Sequence, residues 1–166
     1  MAISVTGHRD LIAKEIPKIE AEVKDFLRSL DSDSLIVYSA LAEGADILVA
    51  KVAKELGIEL RVLLPYNKVE YIKSFSSVES AKEFNSLLEY ASSVEVVCDS
   101  TKNSTTKCYE ELGAELSKRA DILLALWDGV DNDKKGGTAD VVKYFVENIS
   151  DGVLKVIKVN RQGFNK

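Results

Sequence analysis

Two hydrophobic periods alternate along the chain. Ala2 to Thr6 is a short apolar run ended by Gly7, which predicts a first strand. Ile12, Ile16, Ile19, Val23, Phe26 and Leu30 then recur at spacings of three and four, one face of a helix. Pro17 lies in that stretch, so the helix either kinks there or begins near it. Leu35–Tyr38 predicts the second strand. The helical face Ala45, Leu48, Val49, Val52, Ala53 and Leu56 follows and stops at Gly57. Ile58–Leu64, closed by Pro65, predicts the third strand, and 66–80 reads as loop with a short helix. Ser80 and Glu83 have capping-box spacing, predicting a helix over 81–90. Val94–Val97 predicts a fourth strand, and the polar stretch Asp99–Lys107 an exposed loop. Cys108, Leu112 and Leu116 mark a helix, Ile122–Leu126 a fifth strand, Val141 to Ile149 a last helix and Leu154–Val159 a sixth strand.

Strand and helix therefore alternate throughout, and several strands are nearly unbroken apolar runs, as in parallel sheets covered on both faces. The pattern predicts an α/β fold: a Rossmann-like, doubly wound, mainly parallel sheet in a three-layer α/β/α arrangement. No linker, repeat or low-complexity tract divides residues 1–166, so one domain is expected, with 163–166 as a frayed tail or the cut edge of a longer protein.

Composition narrows the function. The 166 residues are 46% hydrophobic and 30% charged, ordinary globular values. A net charge of -5 opposes tracking along a nucleic-acid backbone, yet permits a small phosphorylated ligand held by backbone amides. No apolar run approaches the ~20 residues of a membrane span, and no secretory pattern opens the chain. A cytoplasmic protein with Cys98 and Cys108 reduced is expected. One histidine and two cysteines make a metal site improbable, and no cofactor is expected.

In open α/β sheets ligands bind beyond the carboxyl ends of the strands. After the first strand come Gly7, His8 and Arg9; glycine permits a close turn, and Arg9 can fork onto phosphate or carboxylate. After the second come Ser39, Glu43, Gly44 and Asp46, the last in a helix's first turn. After the third come Pro65 and Tyr66; after the fifth, Trp127, Asp128 and Gly129, then Gly136, Gly137 and Thr138 opening a helix, where free N–H groups could cradle phosphate. Structural readings compete: a mere turn at Gly7, a satisfied histidine at His8, a helix-dipole carboxylate at Asp46, core packing at Trp127, surface aromatics at Tyr66 and Tyr71, and a solvated Lys134–Lys135 pair. Neither G-x-G-x-x-G after the first strand nor a Walker loop is present.

In their order, Gly7-His8-Arg9, the run Ser39 to Asp46, Leu64-Pro65-Tyr66, Trp127-Asp128-Gly129 and Gly136-Gly137-Thr138 resemble the SLOG superfamily, the Rossmann-like group that includes LOG-type and DprA-type proteins. The resemblance runs from about Ile3 to Phe145. It implies either sensing of a nucleotide-derived ligand (ADP-ribose, cyclic ADP-ribose or a nucleoside monophosphate) or, as in LOG enzymes, phosphoribohydrolase cleavage of nucleoside 5'-monophosphates. It also implies a homo-oligomer, with a fused or associated effector in the sensor case; the region after Pro65 and the helix over 81–90 are the expected interface. A single-strand-binding role of the DprA kind is opposed by the charge. LOG enzymes carry P-G-G-x-G-T-x-x-E. Here Lys135 to Val141 lacks the proline, and Val141 stands where the glutamate falls, with Asp140 one position early. Valine can neither activate water nor stabilise an oxocarbenium ion, so the resemblance favours binding over hydrolysis.

Overall fold

A computed structural model describes residues 1–162; the tail expectation for 163–166 lies outside the described residues. The strands are β1 (Ala2–Gly7), β2 (Ile36–Ser39), β3 (Glu59–Leu64), β4 (Ser93–Val96), β5 (Ile122–Trp127) and β6 (Val153–Lys158). The helices are α1 (Ile16–Ser29), α2 (Ala45–Glu55), α3 (Lys68–Ile72), α4 (Val78–Tyr90), α5 (Thr105–Arg119) and α6 (Thr138–Asn148), with a 3-10 turn at Ala13–Glu15. All six strands pair in parallel in the order β4-β3-β2-β1-β5-β6. The chain winds outward from β1 to β4, crosses back to β5 beside β1, and continues to β6. The order reverses between β1 and β5, the switch point of a doubly wound sheet.

Alternation along the strands sends Ile3, Val5, Val37, Leu60, Val62, Leu124 and Leu126 to one face, against α1, α2 and α4. Leu123 and Ala125 meet α6 on the other face, and Tyr38 and Leu63 meet α5. Fully buried strand residues on both faces explain the unbroken apolar runs.

Most differences from the sequence reading are one-residue shifts at element ends. Pro17 sits in the first turn of α1, so the helix begins there and does not kink. α4 starts three residues before the expected Ala81, because Ser77 caps it by accepting the Ser80 amide; Ser80 is a helical residue. α5 begins at Thr105 under a Ser104 cap, inside the stretch read as loop. Tyr66 and Tyr71 are 6% and 0% exposed, in an edge-to-face aromatic cluster with Phe75 and Phe84, and are not surface aromatics. Cys98 and Cys108 form a disulfide with a Cα separation of 5.2 Å, against the expectation of free thiols. The chain returns α5 to the end of β4 at a spacing that such a bond requires. Among the described residues no helix is long and apolar enough to cross a membrane.

Candidate functional site

A cavity of about 460 Å³ opens beyond the carboxyl ends of β1 and β2 and is bordered by the stretch that leads into α6, within the size range of small-molecule sites. Close packing of β1 on α2 builds one wall. A Cβ on Gly7 would stand 2.3 Å from Ala45 Cβ, so only glycine lets the strand end approach the helix start. Gly44, at φ 80°, lies against the carbonyl oxygens of His8 and Arg9, and the Ala45 amide donates to His8 O at 3.0 Å. Between them the chain turns through Leu41 at φ 53°, a left-handed conformation costing roughly 1–2 kcal/mol in a non-glycine residue. Beyond that turn the Ala42 amide donates to Asp46 Oδ2 at 3.3 Å.

Asp46 is 6% exposed and borders the cavity. Burial pushes its carboxyl up to about 7, against the opposing pull of the Ala42 amide and the Arg9 charge. Arg9 is exposed at the cavity's edge. Its Nη1 donates to Ser74 Oγ at 3.3 Å and its Nη2 to Tyr109 Oη at 3.2 Å, and its guanidinium carbon lies 5.9 Å from the Tyr71 ring centre. No carboxylate pairs with it among the described residues. His8 is buried, and its Nε2 accepts the Asp128 amide at 3.2 Å. Desolvation holds its pKa below 6.5, so the neutral ring accepts there; the equally close Asp128 Oδ1 is a near neighbour, not an ion-pair partner.

The opposite wall is the start of α6. Gly137 occupies the N-cap with no side-chain cap, and the Gly136 amide is taken by Asp140 Oδ2 at 2.9 Å. The first amides of α6 have no intrahelical partner and present the positive end of the helix dipole beside Gly137 and Thr138. Lys134 and Lys135 also border the cavity, as do Thr105, Thr106 and Tyr109 of α5. Arg161 borders it too, with its charge paired to Asp10 at 2.9 Å. Arg9, Lys134 and Lys135 against Asp46 make this a cationic cleft on a chain of net charge -5.

Of the residues singled out in the sequence, Gly7, His8, Arg9, Asp46, Gly136, Gly137 and Thr138 border this one cavity. The others stand behind it or turn away. Ser39 is fully buried and accepts the Leu41 amide at 3.0 Å. Glu43 accepts from Ser76, on the loop beyond α3. Gly44 supports the β1 end, and Pro65 is buried at the end of β3. Tyr66 Oη lies 3.4 Å from Tyr109 Oη, one residue removed from the cavity. Trp127 packs beside Phe145 and donates to Val130 O at 3.3 Å. Asp128 serves His8, and Gly129 makes a turn at φ 80°. The α5 residues carried no strand-end signal in the sequence. The Ser104 cap ahead of them was the only legible hint.

No family model matches the chain, and no curated protein matches it in sequence. Solved structures do. DNA processing protein A (DprA) from Streptococcus pneumoniae superposes with a TM-score of 0.59 at 11% identity, over 95% of this chain and 58% of that one. The protein TM1055 superposes with a TM-score of 0.53 at 12% identity, over 92% of this chain and 76% of that one. The chain thus shares with both proteins the doubly wound, parallel α/β fold that the hydrophobic pattern predicted, and it spans a little over half of DprA's length.

Proposed function

We propose that the cleft binds a phosphate-bearing, nucleotide-derived ligand and senses it without hydrolysing it. The uncapped start of α6, opening into a cleft with Arg9, Lys134 and Lys135, carries this reading. Free helix amides and an unpaired guanidinium are the groups that anions select, and they work without net positive charge on the protein. Arg9 exchanges two neutral hydroxyl acceptors for a charged one when phosphate arrives.

Two observations favour sensing over the LOG-type reaction. Val141 borders the cavity at the position of the missing glutamate, and Asp140 is turned back onto the Gly136 amide. As a sensor, residues 1–166 would act as one domain of a homo-oligomer or of an effector assembly. Calorimetry with ADP-ribose, AMP and NAD, beside an assay for released base, tests the proposal. Binding without base release is expected; release of adenine from AMP would replace it with the hydrolase reading.

A further inference from the structure

The Cys98–Cys108 disulfide fastens the start of α5 to the sheet. Cys98 follows Val97, whose amide donates to Leu64 O of β3 at 3.0 Å, so one sulfur is anchored beside the strands. Cys108 stands in the first turn of α5. Residues 101–107 between them are exposed. Outside the ladder of α5 itself, every hydrogen bond made by 99–107 stays within 99–108: the Asp99 side chain takes the Thr101 amide, its carbonyl the Lys102 and Asn103 amides, and Ser104 those of Lys107 and Cys108. The segment is thus ordered locally, and the disulfide is what ties it to β4.

The residues around Cys108 build the cleft. Thr105 and Thr106 before it and Tyr109 after it border the cavity. Tyr109 meets both walls. Its hydroxyl accepts from Arg9 Nη2 at 3.2 Å and lies 3.4 Å from Tyr66 Oη, while its Cβ would stand only 2.6 Å from a Cβ placed on Gly136. The position of the first turn of α5 therefore sets Arg9 against the stretch that leads into α6. We propose that the disulfide is a redox gate on this cleft: the oxidised protein holds Tyr109 in place and binds, and reduction to two thiols frees 99–107 and weakens binding. The inference rests on the phosphate-binding reading above and adds its regulation.

Cys108 is fully buried and Cys98 is 9% exposed, so a reductant approaches through Cys98. A dithiol acts in two exchanges. One thiolate attacks Cys98 Sγ, the S–S bond breaks, and Cys108 leaves as a thiolate that takes a proton. The second thiolate attacks the mixed disulfide and releases Cys98, which is protonated in turn. Two electrons and two protons pass to the protein, and the dithiol ends as its cyclic disulfide.

Calorimetry with AMP on the oxidised protein and on the protein in dithiothreitol tests the gate. Reduction should weaken binding by about fivefold or more, the lower end of ordinary coupling between sites. The Cys98→Ser, Cys108→Ser double variant should bind like the reduced protein with or without reductant. Amide hydrogen exchange, which needs no ligand, should quicken on reduction at 105–109 and stay unchanged in β1, β2 and β5. Equal AMP affinity of the oxidised and reduced forms would overturn the gate and leave the phosphate reading intact. So would a double variant that binds like the oxidised protein, or exchange at 105–109 that reduction does not alter. Loss of the far-ultraviolet circular dichroism on reduction would make the bond a staple of the whole fold and overturn the gate as well. If AMP binds neither form, the phosphate reading fails and the gate falls with it.

Discussion

His8, just past the end of β1, accepts through its Nε2 the backbone N–H of Asp128, just past the end of β5, at 3.2 Å. The contact joins the two neighbouring strands where their outgoing chains diverge. The His8 amide donates to Leu126 O and its carbonyl accepts from Ala45, so one residue ties β1 to β5 and to α2. Burial lowers the His8 pKa below 6.5. The unfolded chain therefore takes a proton that the native ring refuses, and this contribution is complete above about pH 6.5 and lost as pH falls below it. His8→Ala should cost about 1–3 kcal/mol at pH 7.5 by stranding the Asp128 amide, and should flatten the acid side of the stability profile. Urea melts at pH 5 and 7.5 measure both effects.

Asp46 has the opposite sign. Its carboxyl is raised from 3.8 to about 7 by burial, so the native state holds a proton that the unfolded chain has released. Stability should fall as pH rises from about 4 to about 7, and the penalty persists above that. Asp46→Asn should be nearly neutral at pH 4 and stabilising at pH 8, with a ceiling of roughly 4 kcal/mol. Equal melting temperatures of the two proteins at pH 8 would contradict this.

Gly136 and Gly137 are adjacent but not equivalent. Gly136 has φ 74°, and a Cβ there would lie 2.6 Å from Tyr109 Cβ, so Gly136→Ala should destabilise by roughly 1–3 kcal/mol. Gly137 has φ -80°, and its Cβ would lie 3.3 Å from Lys134 O, a contact that a small shift relieves. Gly137→Glu should therefore keep the fold while placing a carboxylate at the proposed phosphate position. Like charges 4 Å apart repel by about 4 kcal/mol at an effective dielectric of 20, near a thousandfold in affinity. Circular dichroism melts and AMP calorimetry on both variants distinguish the two positions.

Arg9 is exposed and packs only at the cavity's edge. Arg9→Gln should leave the melting temperature within a few degrees and weaken AMP binding at least tenfold, because a charge-assisted contact contributes roughly 1.5–3 kcal/mol. Undiminished binding would remove Arg9 from the site.

The Cys98–Cys108 disulfide closes a short loop, at a sequence separation of 10, between the end of β4 and the first turns of α5. In the chain-entropy account a loop of this length is worth about 3 kcal/mol. Reductant should lower the stability of the wild-type protein by about that much and leave the Cys98→Ser, Cys108→Ser double variant unchanged. Melts of both proteins with and without dithiothreitol test it.

The six strands and their alternation with helices along the chain were determined by the sequence alone. Strands buried on both faces must be apolar throughout, while helices packed on one side must show a three-to-four spacing, and neither signal depends on distant residues. The glycines that end β1 and open α6 were legible for the same local reason. What the hydrophobic pattern could not show was which polar residues meet. Arg9 reaches Tyr109 across 100 positions, and Asp46, after β2, shares a wall with Tyr71, after β3, because those two strands are neighbours in the sheet. Tyr71 and Cys108 looked like an exposed aromatic and a free thiol because burial and proximity belong to the packed chain. The residues that complete the cleft come from α3, which follows β3, and from α5, the crossover that returns the chain from β4 to the centre of the sheet. Only the tertiary structure decides that placement, because it depends on strand order, and strand order is fixed by packing between segments far apart in sequence.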